Sequence, residues 1–228
     1  MTPGDVSVII PTLNEADHIA SAIQSVWRNH AGQVIVCDGG SNDDTVGLST
    51  RLGAGVVVSG PGRGVQLAAG ADKAQGRILL FLHADNALSD NCLETLCRAA
   101  NHSRAGENLW GGFEQRIDGN SPLYRALEWG NAARIRFRGI PFGDQAMFVT
   151  RSLYDRVGGF QSLPLMEDVN LAKSLRKVCW PMLIRCAISV NARRWEKRGV
   201  VRQTLRNWGI QIAHGLGVSE HRLSNWYR

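Results

Sequence analysis

Three short polar clusters each follow a run of apolar, β-branched residues. Pro11-Thr12-Leu13-Asn14-Glu15 comes after Val6–Ile10, Asp38 to Thr45 after Val34–Cys37, and His83-Ala84-Asp85 after Ile78–Leu82. Carboxylates brought to one place cost free energy unless they hold a cation or accept hydrogen bonds. A fourth segment, Gly60-Pro61-Gly62-Arg63-Gly64, lets the backbone approach a ligand closely, and Arg63 adds charge for a phosphate. It is not the dinucleotide fingerprint, because the first apolar run leads into a proline-containing turn without glycines. Plainer roles are open to the same residues: Asp43 and Asp44 can cap the next helix, and Gly39-Gly40 can simply turn the chain. Glu167-Asp168 offers a general base, or merely two carboxylates at the positive end of a helix.

The elements that must position these clusters follow from hydrophobic periodicity. Val6–Ile10, Val34–Cys37, Val56–Ser59 and Ile78–Leu82 read as short strands. Between them lie helical stretches at Ala16–Asn29 (capped by Asn14), from near Thr45, and at Val65–Ala74. That alternation predicts an α/β fold with a mostly parallel central sheet flanked by helices, and ligands bind such sheets outside the carboxyl ends of the strands. The second half is less regular. Helices are expected at Ser89–Ala100, Leu123–Phe137 and Glu167–Val178, strands at Trp110–Ile117 and Gln145–Thr150. From Val200 onward, Val201, Leu205, Trp208 and Ile212 form an apolar stripe on a basic C-terminal helix.

Composition narrows the class. The chain has 228 residues and a net charge of +6, which suits an anionic ligand or surface. Five scattered cysteines, Cys37, Cys92, Cys97, Cys179 and Cys186, contain no C-x-x-C pair, which argues against a disulfide framework or structural zinc. No signal peptide or run of ~20 apolar residues is present, so a cytoplasmic protein is expected. The arginine-rich stretch from Arg193 to Arg206, interleaved with Trp195 and Trp208, has three readings. Ranked in order, it packs on the core, places Arg193 and Arg194 on a ligand diphosphate, or lies on the inner face of an anionic membrane.

The ordered series Val8-Ile9-Ile10-Pro11-Thr12-Leu13-Asn14-Glu15, Val36-Cys37-Asp38 to Thr45, and Leu82-His83-Ala84-Asp85 resembles the family 2 glycosyltransferases of GT-A fold. Gly143-Asp144-Gln145, Gly158-Gly159-Phe160 and Met166-Glu167-Asp168 extend the resemblance to that family's acceptor-side signals. Gly62-Arg63-Gly64, Arg193-Arg194-Trp195 and the segment from Gly217 to Arg228 are similar to a small bacterial branch labelled for arsenosugar biosynthesis. The resemblance implies one Rossmann-like domain over 1–228, with residues 1–100 binding a nucleotide sugar and 101–228 binding the acceptor.

It also implies roles. Pro11, Thr12, Asn14, Glu15 and Asp38 would surround the base and ribose of a nucleoside-diphosphate sugar, the base contact falling to Asp38. Arg63, Arg193 and Arg194 would lie near the diphosphate. Asp85 and His83 would hold Mn²⁺ or Mg²⁺, His83 standing where the family usually has aspartate. Asp168 would act as base in an inverting transfer from a UDP-sugar, with Glu167 in reserve. Asp144 and Gln145 would contact the hydroxyl acceptor, a small molecule or a lipid-linked one, or position the base, and Trp110 would line the sugar site on the acceptor side or lie in the core. Two other classes fit parts of the pattern: a metal-dependent nucleotidyltransferase, and a nucleotide-sugar binding protein without turnover. Nucleic acid is not expected as a partner, since the acidic strand ends would repel phosphates.

Overall fold

The computed structural model describes residues 1–103, 106–163, 165–215, 218, 222 and 223, with backbone alone at 194, 197, 198, 212, 214 and 215. The first half alternates as expected: β1 (Val6–Thr12), α1 (Ala16–Arg28), β2 (Gln33–Asp38), α2 (Thr45–Arg51), β3 (Gly55–Val58), α3 (Arg63–Lys73) and β4 (Ile78–Phe81). There follow β5 (Asn86–Leu88), α4 (Cys92–His102), β6 (Trp110–Ile117), α5 (Pro122–Arg138), β7 (Phe148–Thr150) and α6 (Arg151–Arg156). The last elements are α7 (Glu167–Arg176), β8 (Met182–Val190), α8 (Arg193–Arg198) and α9 (Val200–Gly215). One sheet of eight strands, in the order β3-β2-β1-β4-β7-β6-β8-β5, runs through both halves. β3, β2, β1 and β4 are mutually parallel, and β6 and β8 are parallel to each other; β7 and β5 pair antiparallel with their neighbours.

Successive side chains of a strand point to opposite faces, and both faces of this sheet are covered. Val6, Val8 and Ile10 of β1 and Ile78 and Leu80 of β4 pack on one side with Ile19, Ile23 and Val26 of α1. Ile9, Leu79 and Phe81 pack on the other with Leu67 of α3 and Leu171 and Leu175 of α7. Each such side chain, fully buried, contributes about 1.5–3 kcal/mol relative to exposure. The approach of α3 to the sheet depends on Gly70, where a Cβ would fall 2.4 Å from both Cys37 Sγ and Ile9 Cγ2.

Several boundaries differ from the sequence expectation. α1 is capped by Glu15, not Asn14, whose backbone turns into the left-handed region with φ 55°. The strand expected over 145–150 shrinks to β7, because Gly143–Gln145 forms a 3-10 turn. α9 is oriented opposite to the first-ranked reading of its stripe. Gln203 and Ile210 face inward, while Val201, Leu205 and Trp208 are exposed. Among the described residues no helix is long and apolar enough to cross a membrane.

Candidate functional site

The first polar clusters converge because β1 and β2 are in register at their ends, Thr12 beside Asp38. The Asp38 carboxylate is only 2% exposed. Its Oδ1 accepts from Thr12 Oγ1 (3.2 Å) and Ser41 Oγ (2.5 Å), and its Oδ2 from the Gly40 and Ser41 amides (2.9 and 2.8 Å). Burial alone would raise its pKa; the bonds from Ser41, Gly40 and Thr12 outweigh that and hold the carboxyl below its usual range. A carboxylate has about four acceptor positions, so this one is full. Gln66, which sequence reasoning did not single out, ties the two strand ends by donating to Thr12 O (2.6 Å) and Cys37 O (2.9 Å). A Cβ on Gly39 would fall 2.9 Å from Gln66 Nε2, so the glycine makes room for that tie. Asn14 bridges the rim, its amide donating to Ser41 Oγ and its Oδ1 accepting from the Asn42 amide. Asp43 accepts from the Ala16 and Thr45 amides and Asp44 pairs with Arg51, so these two act as caps and braces. Pro11 lies within β1 beside Cys37.

Asp85 meets a cation, and the cation is Arg193. One guanidinium nitrogen lies 3.0 Å from Asp85 Oδ2 and 3.1 and 3.2 Å from the two Glu15 oxygens. Sheet register produces this contact. β5 pairs antiparallel with β8, Asn86 opposite Val190, so the residues before β5 face those after β8. Asn191 Oδ1 then accepts from the Arg193 amide at 2.9 Å and fixes the turn into α8. Desolvation would lower the Arg193 pKa, but Glu15 and Asp85 reverse the direction and raise it. The Arg194 side chain lies outside the described residues, as does nearly all of the segment from 217 to 228.

His83 borders both the pocket next to Asp85 and a neighbouring cavity that Arg63, Glu167 and Asp168 help to line. Gly143 lies against both His83 and Asp168. Its amide donates to Asp168 Oδ2 at 2.7 Å, and a Cβ there would fall 2.8 Å from His83 Nε2 and 3.3 Å from Asp168 Oδ2. Only a glycine lets the imidazole and the carboxylate approach the same backbone. Asp168 Oδ1 accepts from the Val169 amide (2.7 Å), so each carboxylate oxygen retains a lone pair for a ligand. Glu167 differs from its neighbour. It is buried, with Arg63 Nη1 3.5 Å from its Oε1, an ion pair without a hydrogen bond. Desolvation therefore raises its pKa against the opposing pull of Arg63. Gly64 lets α3 come this close: a Cβ there would fall 2.4 Å from Gln161 O and 3.3 Å from Glu167 Cβ.

On the acceptor side two expected contacts are corrected. Trp110 is 1% exposed and its indole N–H donates to Cys179 O (3.0 Å), so it belongs to the core and cannot line a sugar site. Gln145 is fully buried, accepting from Arg134 Nη2 (2.7 Å) and donating to Asn131 O (3.3 Å). Its polar atoms are engaged inside the protein, and it positions Arg134 rather than a ligand. Asp144 stays at the site: its side chain borders the same pockets as His83, and its carbonyl accepts from Asn86 and Gln115. Arg134 is the residue sequence reasoning missed. It packs over Phe142, 3.6 Å from the ring centroid, and donates to Ile140 O and Asn131 Oδ1. Burial brings its pKa down to about 10 against the pull of Asp144 and Asp168, which leaves it charged at neutral pH. Alternating arginines at 134, 136 and 138 were visible in the sequence; that the first turns inward depends on Phe142.

A cation site was expected at Asp85 and His83. Among the described residues no group of three or more His, Cys, Asp or Glu side chains is arranged to hold a metal. Mg²⁺-type ions are commonly held by one or two carboxylates plus substrate phosphates, so a site with few protein ligands is compatible with these residues. That Asp85 already holds a guanidinium shows a place built for positive charge.

Comparison with known proteins agrees with this geometry. The model of "Glycosyl transferase family 2" matches residues 7–161. A PGL/p-HBAD biosynthesis glycosyltransferase of Mycobacterium bovis is 28% identical over 89% of this chain and 96% of its own length. Among solved structures, the mannosyltransferase PcManGT from Pyrobaculum calidifontis, in complex with GDP-Man and Mn²⁺, superposes with a TM-score of 0.68. It is 20% identical, over 94% of this chain and 63% of that one. S. aureus TarS 1-349, in complex with UDP-GlcNAc, gives 0.62 at 16% identity, over 84% of this chain and 58% of that one. This chain thus spans about three fifths of the length of those two structures, and at such identity they establish the GT-A fold alone.

Proposed function

Because the chain belongs to glycosyl transferase family 2 and is a glycosyltransferase, we propose that it moves a sugar from a nucleoside-diphosphate donor to a hydroxyl acceptor with inversion, Asp168 being the base. The observation that carries this reading is the position of Asp168. It stands on the wall of the cavity that Arg63 and His83 also line, held by two backbone amides with a lone pair free on each oxygen. In the transfer, the acceptor O–H gives its proton to Asp168 while its oxygen forms the bond to the anomeric carbon. The bond from that carbon to the diphosphate oxygen breaks, and its electron pair leaves with the nucleoside diphosphate. A carboxylate fixed in this way supplies roughly 10²–10⁴-fold in rate.

Arg63 and Arg193 offset the charge that develops on the leaving group. Arg193, now on Glu15 and Asp85, would turn to the diphosphate, and Asp85 and His83 would hold Mn²⁺ or Mg²⁺. That ion supplies Lewis-acid stabilisation of the departing phosphate oxygens. Glu167 holds Arg63 in place. Thr12, Asn14 and Glu15 shape the pocket for base and ribose, and a base N–H reaches Asp38 only by displacing the Ser41 or Thr12 hydroxyl. The nucleoside-diphosphate sugars in the TarS and PcManGT complexes, and the Mn²⁺ of the latter, support the donor class and the cation. The donor is a UDP-sugar in this proposal. The arsenosugar branch label rests on the sequence resemblance of Gly62-Arg63-Gly64, Arg193-Arg194-Trp195 and the segment from Gly217 to Arg228 alone, and the mycobacterial relative carries a different name, PGL/p-HBAD biosynthesis glycosyltransferase.

The test is calorimetric titration of UDP with Mn²⁺ and with chelator, followed by turnover with UDP-sugars. Metal-dependent binding and release of UDP are expected. Silence toward all nucleoside diphosphates would defeat the donor assignment.

A further inference from the structure

Helix α9 is inside out. At steps of four and three residues Val201, Leu205 and Trp208 are 60, 60 and 58% exposed, while among the described side chains the buried positions are Gln203 and Ile210; that of Ile212 lies outside the described residues. Across from it, α5 does the same. Trp129, Ala133 and Phe137 follow one another at four-residue steps, and the two aromatics are 76 and 74% exposed. The two helices form a groove of about 790 Å³, to which Trp129 and Phe137 contribute from one side and Trp208 from the other. Gln211 and Arg134 are common to this groove and the adjoining basic pocket, and Gln211 also borders the cavity of Asp168, so the three form one trench. Soluble monomers rarely cluster large aromatic residues on an exposed face without a partner for it.

Charge identifies the partner. Exposed Arg136 and Arg138 of α5 and Arg202 of α9 stand with these apolar residues, on a chain of net charge +6. A second copy docked by the same face would bring arginines against arginines about a twofold axis. An acidic surface with an apolar interior takes both features: the guanidinium groups meet headgroup phosphates while the aromatic rings enter the acyl boundary. We propose that the α5–α9 face docks this enzyme on an anionic lipid surface, with the trench leading from that surface to Asp168. The acceptor is then a hydroxyl presented from the lipid side. Docking rests on the exposed faces alone; only the choice of acceptor rests on the proposed function.

The full-length protein is sedimented with vesicles of phosphatidylcholine alone and of phosphatidylcholine mixed with phosphatidylglycerol. Binding to the mixed vesicles is expected, weakened by salt and at least about tenfold weaker to neutral ones. The double variants Trp129→Ala/Phe137→Ala and Leu205→Ala/Trp208→Ala should each lower partitioning by about tenfold or more. Arg136→Glu/Arg138→Glu should abolish the preference for anionic lipid. UDP titration and the thermal midpoint of all three should match wild type, since these side chains are exposed. No binding to mixed vesicles, equal binding by the variants, or a dimer in solution that the same variants dissolve would each overturn the proposal. Vesicle binding without UDP binding would leave docking intact and defeat the donor assignment instead.

Discussion

Two buried carboxylates, one on each side of the cleft, are held in opposite ways. Asp38 ends a parallel strand and receives four hydrogen bonds from its own turn and its neighbour strand. Glu167 opens a helix and has an ion pair with Arg63 but no hydrogen bond to the oxygen it presents. The first is held charged and its pKa falls; the second is desolvated and its pKa rises. Burial is therefore not the deciding quantity. What decides is whether donors outweigh desolvation: the strand-end turn brings four to Asp38, while at Glu167 the pull of Arg63 falls short of the cost of burial. The strand-end turn at Asp38 is thus a complete hydrogen-bond network, whereas Glu167 is held by the charge of Arg63.

The sharpest way to break that contrast is at Asp168. Asp168→Asn keeps the shape and removes the base, so transfer should fall by about 10³-fold with UDP affinity retained. Transfer near the wild-type rate would end the assignment. Next in size is Asp38→Ala, which strands two amides and two hydroxyls in a buried turn. A loss of about 2–3 kcal/mol in denaturant stability is expected, and an unchanged midpoint would show that water replaces the carboxylate. Asp85→Ala should cost roughly tenfold in Mn²⁺-dependent UDP affinity, the size of a single charge-assisted contact; equal affinity would remove Asp85 from the cation site.

The smallest effect concerns pH, and the two carboxylates should act with opposite sign. Glu167, with its folded pKa raised, contributes stability that is complete below its unfolded pKa of about 4.3 and is lost as pH rises through the folded value. Asp38, with its pKa lowered, contributes stability that is present above its unfolded value of about 3.9 and is lost as pH falls through the folded one. Acidification from about pH 7 to pH 5 should thus stabilise wild type relative to Glu167→Gln, as read from thermal midpoints. Parallel midpoint curves would mean Glu167 is not strained.

The half of the molecule that carries Asp38 was legible in the sequence. Its strands are apolar on both faces, helices alternate with them, and parallel topology sends their polar ends to one rim. The other half was less so. Met182, Ile184, Cys186, Ile188 and Val190 do alternate, which is a strand signature that β8 confirms, yet Arg185 and the half-buried positions between them obscured it. β5 has three residues and exists only because β8 pairs with it. Trp110 opens its strand as expected and Gln145 falls in a 3-10 turn just before its own, but whether each turns toward ligand or core depends on Cys179 and Arg134, which periodicity does not see. The stripe of α9 was read as well, but Val201, Leu205 and Trp208 are exposed, unlike Ile19, Ile23 and Val26 of α1, which find the sheet.

The Arg193 contact has a consequence for how the protein is made. Glu15 and Asp85 precede their shared counter-charge by 178 and 108 residues. A nascent chain therefore completes β1 to β4, with their acidic rim, well before the guanidinium that neutralises it has been synthesised. Until β8 docks against β5, those two carboxylates lack the guanidinium they share. The last strand to join the sheet thus also discharges the mouth of the cleft.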